Sequence, residues 1–166
     1  NYENIEKLEN KELYGINLVQ SVNNYKINKE DIGEIVTENK ELSADDIENL
    51  IIANISLKYA QSNNVSLAHD GQLIGLAAGQ QNRVDCVRLA GEKSKIWWLR
   101  RHPKVLSLMD KFKVGVKRQE KVNAIIRYIQ GDFTEIEYKD WCNLFKEEIV
   151  SLTNEDKTSY LINCQK

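Results

Sequence analysis

Apolar positions recur at two different spacings along the chain, and each change of spacing marks a predicted strand or helix. Residues 12–23, ELYGINLVQSVN, are rich in residues that favour strands, so we expect a single strand there that tolerates burial. Ser43 opens a capping-box pattern with Asp46, and apolar residues then recur at helical spacing. This pattern predicts a helix from Ser43 to about Tyr59.

The middle of the chain carries the strongest turn signal. Asp70-Gly71 lies between two short apolar runs, which predicts a hairpin with a two-residue turn. The small residues Ala77-Ala78-Gly79 allow the backbone to approach a neighbouring group closely. The polar quartet Gln80-Gln81-Asn82-Arg83 comes next, at the start of a predicted helix that Gly91 interrupts. A packed core explains the hairpin but does not explain the polar quartet.

Helical spacing dominates the rest of the chain. The segment WWLRRHPKVLSL is predicted to be helical on both sides of Pro103, the only proline. Residues 122–129 form an amphipathic pattern that Gly131 stops in the C-cap position, and Thr153 caps a last helix. A further helix is marked by Trp141, Leu144 and Phe145. Helices that share a core with a few strands predict an α/β fold.

Composition places the chain among ordinary globular domains. It has 166 residues, of which 42% are apolar and 29% are charged. No apolar run is long enough to span a membrane, and no signal-peptide pattern is present. The three cysteines are odd in number and far apart, so we expect a reduced protein with a cytoplasmic location. The first residue is not Met, which suggests that the chain begins inside a longer protein.

The charges are distributed unevenly. Residues 1–60 hold 12 acidic and 6 basic side chains, a net charge of −6. Residues 93–121, which we call the basic segment, hold 10 basic and 2 acidic side chains, a net charge of +8. Such a segment predicts an anionic partner. Solvated helix faces produce similar runs, so both interpretations remain open at this point.

Several kinds of catalytic site are absent from the sequence. No Cys-x-x-Cys pair occurs and neither histidine has ligand spacing with a cysteine, which argues against zinc. Phosphate-loop, dinucleotide and hydrolase-elbow patterns are also missing. We expect His69 in an exposed turn, and His102 in a surface turn as an anion contact rather than a base. Trp97-Trp98 is expected in a core or an interface rather than as a base-stacking platform.

Two longer stretches carry a family resemblance. The first runs from KYAQSNNVSLAHDGQLIGLAAGQQNR to WWLRRHPKVL, and the second is KFKVGVKRQEKVNAI. Together they resemble the eukaryotic-type formyltransferase domain of phosphoribosylaminoimidazolecarboxamide (AICAR) formyltransferases, often fused to an inosine monophosphate (IMP) cyclohydrolase domain. The resemblance is dense over residues 58–128 and looser on both sides. It implies a zinc-less subdomain with the cytidine deaminase fold over residues 12–106, and additional helices over 107–166, as an internal part of the family's domain.

The resemblance implies particular ligand contacts. Asn63 matches a substrate-contacting asparagine, Arg83 matches a substrate-contacting arginine, and Val84 falls where the family lies against the folate. The segment from Leu57 to Asn64 resembles a loop in which oxygen atoms hold potassium, with Leu57, Ala60, Ser62 and Asn64 as the matching positions. Ala60 and Asn64 stand where the family is expected to have Thr and Ser, so two hydroxyl ligands are missing.

The resemblance also implies a reaction and its participants. The family transfers the formyl group of 10-formyltetrahydrofolate to the amine of AICAR, as a homodimer, using a Lys-His pair for proton transfer and charge stabilisation. No Lys-His dipeptide occurs here, so we expect no catalytic residue in this chain and no transfer by it alone. The basic segment is then a candidate for attracting a phosphorylated substrate or a folate polyglutamate tail.

Two other functions fit parts of the sequence. A nucleotide-binding module without the chemistry would also retain Asn63 and Arg83 and lack the Lys-His pair. A nucleic-acid-binding protein would use the basic segment and Trp97-Trp98, but no recognised nucleic-acid module is visible. Binding that weakens steeply with salt would favour this last function. We therefore expect nucleotide and folate ligands, and neither a membrane nor a nucleic acid as partner.

Overall fold

The computed structural model describes residues 7–164, in which two hairpins, seven α-helices and one short 3-10 helix (Lys29–Asp31) follow one another along the chain. The two hairpins are β1 with β2 and β3 with β4, and both are antiparallel. In chain order, the elements are β1 (Leu8–Leu13), β2 (Ile16–Ser21), α1 (Ala44–Lys58), β3 (Val65–His69), β4 (Gln72–Ala77), α2 (Arg83–Leu99), α3 (Pro103–Leu106), α4 (Leu108–Lys111), α5 (Arg118–Gln130), α6 (Glu135–Cys142) and α7 (Asn154–Asn163).

The prediction of one strand over residues 12–23 was wrong, because the chain reverses direction inside it. Tyr14 and Gly15 form the turn between β1 and β2, with positive φ angles of 51° and 76°. A turn with two positive φ angles matches the twist of a hairpin, but it favours Asn or Gly over tyrosine. The usual turn signal was therefore missing. Every residue of both strands is exposed, so the expected tolerance of burial is not used within the described chain.

Helix α1 forms where its capping box predicted. The Ser43 hydroxyl accepts a hydrogen bond from the Asp46 N–H at 3.1 Å, and the Asp46 carboxylate accepts one from the Ser43 N–H at 3.0 Å. Each bond satisfies a backbone donor that the first turn of a helix cannot pair internally. The helix ends at Lys58 with Tyr59 as its C-cap, as predicted.

The hairpin of β3 and β4 lies between α1 and α2. Its turn at Asp70-Gly71 is confirmed, with positive φ angles of 51° and 67°. Ser66 points toward α1 and donates its hydroxyl to the Ala53 carbonyl oxygen at 3.0 Å. The neighbouring Val65 packs on the opposite side, against a small buried cluster that includes Cys86 of α2. Successive side chains of a strand face opposite ways, so the two helices cover opposite faces of the hairpin.

Helix α2 runs unbroken through Gly91, so the predicted interruption was wrong. A glycine weakens a helix interior by only about 1 kcal/mol, which packing offsets. That packing is close, because a Cβ atom at Gly75 of β4 would overlap the backbone oxygen of Ala90. The absence of a side chain at Gly75 therefore lets α2 approach the hairpin backbone directly.

The C-terminal helices share an aromatic core, which we call the helical cluster. Trp141 stacks on Tyr128 with ring centroids 5.7 Å apart, and its indole Nε1 donates to the Ala124 carbonyl oxygen at 2.9 Å. The buried members are Leu99, Val105, Leu108, Phe112, Ala124, Tyr128, Ile129, Trp141, Phe145, Ile149 and Leu152. The division of the chain near residue 106 remains a prediction, although Leu99 and Val105 pack in this cluster with the later helices.

Local signals in the helical cluster had mixed outcomes. Gly131 caps α5 in the left-handed conformation and Thr153 caps α7, as predicted. A helix begins at Pro103, on the C-terminal side of the break after Leu99. The helix expected to include Phe145 ends earlier, at Cys142, because Phe145 leaves it to pair with Phe112 in an isolated β-bridge. Their rings stack with centroids 4.5 Å apart.

The chain therefore mixes helices with small sheets, in keeping with an α/β fold. Within residues 7–164, no helix combines the length and the apolar character needed to cross a membrane. The cytoplasmic location and the cytidine deaminase-like subdomain remain predictions.

Candidate ligand-binding site

The open end of the β3–β4 hairpin brings two loops together. Val65 at the start of β3 pairs with Ala77 at the end of β4, so the loop before β3 and the loop after β4 must run side by side. Backbone hydrogen bonds join the loops. The Gly79 N–H donates to the Gln61 carbonyl oxygen at 2.7 Å, and Asn63 and Gln80 exchange two such bonds of 3.3 Å each.

The Asn63 side chain is fixed by the second loop. Its amide nitrogen Nδ2 donates to the Gln80 carbonyl oxygen at 3.0 Å and to the Gln81 carbonyl oxygen at 3.4 Å. The Asn63 carbonyl oxygen accepts a weak bond from the buried Cys86 thiol at 3.4 Å. No donor from residues 7–164 reaches the side-chain oxygen Oδ1. Asn63 therefore presents a positioned hydrogen-bond acceptor.

Arg83 and Val84 begin helix α2 beside this loop pair. Arg83 is exposed, and no carboxylate within the described chain lies at ion-pair distance from its guanidinium group. Val84 is 60% exposed. The Asn63 amide lies against the carbonyl of Gln81, two residues before Arg83, so the structure brings the predicted contact residues to one end of the hairpin.

Half of the polar quartet serves the fold itself. Asn82 caps α2, because its side-chain oxygen accepts from the Asp85 N–H at 2.8 Å. Gln80 donates its amide to the Ala78 carbonyl oxygen at 3.0 Å. The helix end is thus already capped, and the Asp85 carboxylate in its first turn opposes a bound anion. Arg83, rather than the helix end, supplies the positive charge at this site.

The loop that resembles a potassium site contains a hydrogen-bond donor in its centre. The Asn64 side-chain nitrogen Nδ2 donates to the Ala60 carbonyl oxygen at 2.7 Å and to the Leu57 carbonyl oxygen at 3.2 Å. Asn64 and Ala60 are half-buried, whereas Ser62 is exposed. The two carbonyl groups that the resemblance offers to a cation are therefore occupied by an amide.

The sequence did not indicate that His69 of β3 lies against the two tryptophans of α2. His69 lies 4.7 Å from Trp98 and 5.9 Å from Trp97 between ring centroids, and the Arg101 guanidinium lies 3.4 Å above the Trp97 ring. Both tryptophans are half-buried and His69 is exposed, as expected. The sequence pattern treated these residues separately, because only the packing of the hairpin on α2 brings His69 to the tryptophans.

The expectation of a surface position for His102 was wrong. His102 is only 9% exposed, and its ring packs 4.9 Å from the ring of Tyr160 in α7. Its Nδ1 accepts the N–H of Lys104 at 3.1 Å, which caps α3. Burial lowers the pKa of His102, and the nearby Asp156 carboxylate opposes this effect. His102 therefore has a structural role as the capping group of α3.

The basic segment contributes several cations to one surface recess. The recess has a volume of about 500 Å³, and Arg100, Arg118 and Lys121 line it around an apolar floor. Elsewhere in the basic segment, Lys104 pairs with Asp156 at 2.7 Å. Lys111 pairs with Glu147 at 2.8 Å. Ion pairs with acidic residues thus neutralise part of the positive charge of the basic segment. Another part comes from the arginine and lysine side chains that line the recess.

The family of the chain follows from its sequence match. A family model described as the AICARFT/IMPCHase bienzyme matches residues 1–93, which include Asn63, Arg83 and Val84. The chain belongs to the AICARFT/IMPCHase bienzyme family. This match extends from the N-terminus into the middle of α2, so it contains both loops at the open end of the hairpin.

Individual members of the AICARFT/IMPCHase bienzyme family align with a shorter segment. The bifunctional purine biosynthesis protein PurH of Acetivibrio thermocellus is 38% identical over 82 residues, and that of Oceanobacillus iheyensis is 34% identical over 82 residues. Each alignment covers 47% of this chain and 16% of the relative. The PurH of Streptococcus uberis is 40% identical over 67 residues, which is 40% of this chain and 13% of the relative. The chain thus spans less than a fifth of these relatives.

Proposed function

We propose that the chain is a part of a formyltransferase of de novo purine biosynthesis. The complete enzyme transfers the formyl group of 10-formyltetrahydrofolate to the amine of AICAR, and this chain supplies part of the binding site. The observation that carries the proposal is the convergence of Asn63 and Arg83, twenty positions apart, at the open end of one hairpin. Both residues lie in the segment that matches the family.

We assign separate roles to the two residues. The Asn63 amide donors are used within the loops, so its oxygen Oδ1 accepts from the carboxamide N–H of the substrate. The Arg83 guanidinium carries several donors and a fixed charge, which suits a phosphate or carbonyl oxygen of the nucleotide. The exposed Val84 offers apolar contact to the folate.

Proton transfer is assigned to groups outside these 166 residues. The family's Lys-His pair is absent here, and the buried His102 already uses Nδ1 to cap α3. We therefore expect the chain alone to bind nucleotide without catalysing formyl transfer. Formyl transfer by the isolated chain that depended on His69 or His102 would contradict this division of roles.

A nucleotide-binding module is the second candidate. The positioned Asn63 and the solvent-facing Arg83 favour it as much as they favour the enzyme, because binding needs no proton transfer. Complementation separates the two. Purified chain that restores formyl transfer to a preparation containing the Lys-His segment supports the enzyme, whereas nucleotide binding without restored transfer supports the module.

The binding test replaces Arg83 and measures AICAR affinity by calorimetry in the protein that carries this chain. We expect Arg83→Ala to weaken binding by about 1.5–3 kcal/mol, the range for a hydrogen bond to a charged group. Arg88→Ala is the matched control, because Arg88 is another exposed arginine of α2 and its ion-pair partner among residues 7–164 is Asp85 of the same helix. Equal affinities of the Arg83→Ala variant and the unaltered protein would remove Arg83 from the site.

Other parts of the proposal concern partners. We include a folate co-substrate and a homodimeric complete enzyme, and we assign the basic segment to long-range attraction of anionic ligands. Neutralising Lys113, Lys117 and Arg118 tests this assignment through the salt dependence of folate binding. A membrane or nucleic-acid partner is not part of the proposal.

A further inference from the structure

The end of helix α1 presents carbonyl oxygen atoms that favour a cation or hydrogen-bond donors. Carbonyl groups in the last turn of a helix have no partner within the helix, and the aligned peptide dipoles place partial negative charge there. The Leu57 carbonyl oxygen lies in this turn and accepts the Ala60 N–H at 3.1 Å. The Ala60 carbonyl oxygen follows in the loop. Either a bound cation or hydrogen-bond donors can satisfy these oxygen atoms.

The Asn64 amide supplies the donors. Its nitrogen Nδ2 lies 2.7 Å from the Ala60 oxygen and 3.2 Å from the Leu57 oxygen. The amide must face the loop with its nitrogen, because turning it would place Oδ1 against two carbonyl oxygen atoms. An NH₂ group has two hydrogen atoms, and the two carbonyl groups accept one each.

The same arrangement does not fit potassium. The amide nitrogen fills the space between the two carbonyl oxygen atoms, and its hydrogen atoms repel a cation. Ala60 has no hydroxyl group to offer, so the remaining oxygen ligands are fewer than the resemblance requires. Among residues 7–164, no group of three or more His, Cys, Asp or Glu side chains is arranged to hold a metal ion instead.

We infer that the side-chain amide of Asn64 takes the place of the monovalent cation in this chain. The loop before β3 then folds without potassium. Asn63 directly precedes Asn64 in this loop, so the same folded loop holds Asn63 against Gln80. The inference depends on the family's potassium loop and on the loop geometry. It does not depend on formyl transfer.

The first test measures thermal unfolding of the 166-residue chain in potassium, sodium or choline chloride at equal ionic strength. We expect the same Tm in all three salts. A Tm that rises in potassium, but not in sodium or choline, would overturn the inference. This measurement uses no substrate, so its outcome is independent of whether AICAR or folate binds.

The second test restores the family's hydroxyl residues. We expect Asn64→Ser to lower Tm by roughly 2–8 °C, because two neutral hydrogen bonds are lost from a chain of this length. The double variant Ala60→Thr, Asn64→Ser should recover part of this loss in potassium and none in choline. A double variant that ignores potassium would show that this loop cannot hold the cation, and the idea of replacement would fail.

A matched control separates this effect from general loss of an asparagine. Asn49 lies in α1, as Leu57 does, and its side-chain oxygen accepts the Gly71 N–H at 3.0 Å. This hydrogen bond does not involve the carbonyl groups of Leu57 and Ala60. Asn49→Ser should lower Tm equally in all three salts. If potassium raised the Tm of Asn49→Ser, the ion would bind elsewhere in the chain, and the inference would be contradicted.

Discussion

The open end of the β3–β4 hairpin and the helical cluster are stabilised by different means. The hairpin and its two helices bury small residues among the described positions, namely Ala77, Cys86 and Ala90. The helical cluster buries large aromatic and aliphatic side chains around Trp141. Small residues allow backbones to approach closely, whereas large residues remove more apolar surface from water.

This difference has a consequence for the two regions. Hydrogen bonds between loops position Asn63, and the close contact of Gly75 with Ala90 positions α2 and with it Arg83. Neither contact buries much apolar area. We therefore expect the helical cluster to supply most of the stability and the hairpin region to supply the precision of the site.

Removing the central tryptophan should have the largest effect. We expect Trp141→Ala to lower the free energy of unfolding by about 3–5 kcal/mol, because a buried aromatic ring and the bond from Nε1 to Ala124 are both lost. Denaturant unfolding measures the change. The control Ile136→Ala, at a 74% exposed position of the same helix, should stay within about 0.5 kcal/mol. Similar losses in both variants would argue against a dominant helical cluster.

Adding one methyl group to the hairpin should have the next largest effect. Gly75→Ala forces β4 and α2 apart at Ala90, and we expect a loss of about 1–3 kcal/mol in the free energy of unfolding. Gly91→Ala is the matched control, because the added carbon meets no atom within 4 Å apart from the neighbouring backbone of its own helix. That change should stabilise the interior of α2 by about 0.5–1 kcal/mol. The comparison between the regions would weaken if Gly75→Ala were neutral.

The smallest expected effect is a pH dependence in the helical cluster. Burial lowers the pKa of His102, so the unfolded chain binds a proton more readily than the folded chain does. The contribution of His102 to the free energy of unfolding is present above the unfolded pKa of about 6.5. It decreases as the pH falls through that value and below. Chemical unfolding at several pH values should show this decrease, and His102→Gln should remove it. An unchanged slope in the variant would exclude His102 as its source.

A second group in the helical cluster titrates at more acidic pH. The hydrogen bond from Lys104, followed by those from Thr153, holds the pKa of Asp156 well below its usual range. Its contribution is therefore present above the unfolded carboxyl pKa of about 3.9 and is lost only under strongly acidic conditions. The Asp156 contribution begins to decrease only below about pH 5, so we assign a slope near pH 6 to His102.

Much of the local structure was predictable from short patterns. The capping boxes at Ser43 and Thr153, the turn at Asp70-Gly71 and the stop at Gly131 were all confirmed. Each of these signals acts through hydrogen bonds or backbone angles within a few residues, so the sequence contains all of the interacting groups. The turn at Tyr14-Gly15 was also local but was missed, since tyrosine rarely adopts a positive φ angle.

The candidate site was predictable only in part. The resemblance indicated Asn63 and Arg83, and the structure then showed that the paired strand ends bring their two loops together. The internal use of Gln80 and Asn82 was not predictable, since an amide in the sequence does not reveal which carbonyl group it contacts. The burial of His102 was likewise hidden, because it depends on Tyr160 in a distant helix.

The sequence by itself determined the caps of α1 and α7, the turn at Asp70-Gly71, the stop at Gly131, the family of the chain and the candidates for ligand contact. Only the tertiary structure decided how those residues are used. It joined α2 to the hairpin at Gly75, used the Asn63 amide nitrogen to hold two loops together, and turned the Asn64 amide toward two carbonyl groups. The physical reason is that local patterns act over a few residues, whereas burial and hydrogen-bond partners depend on segments that meet only after the chain has folded.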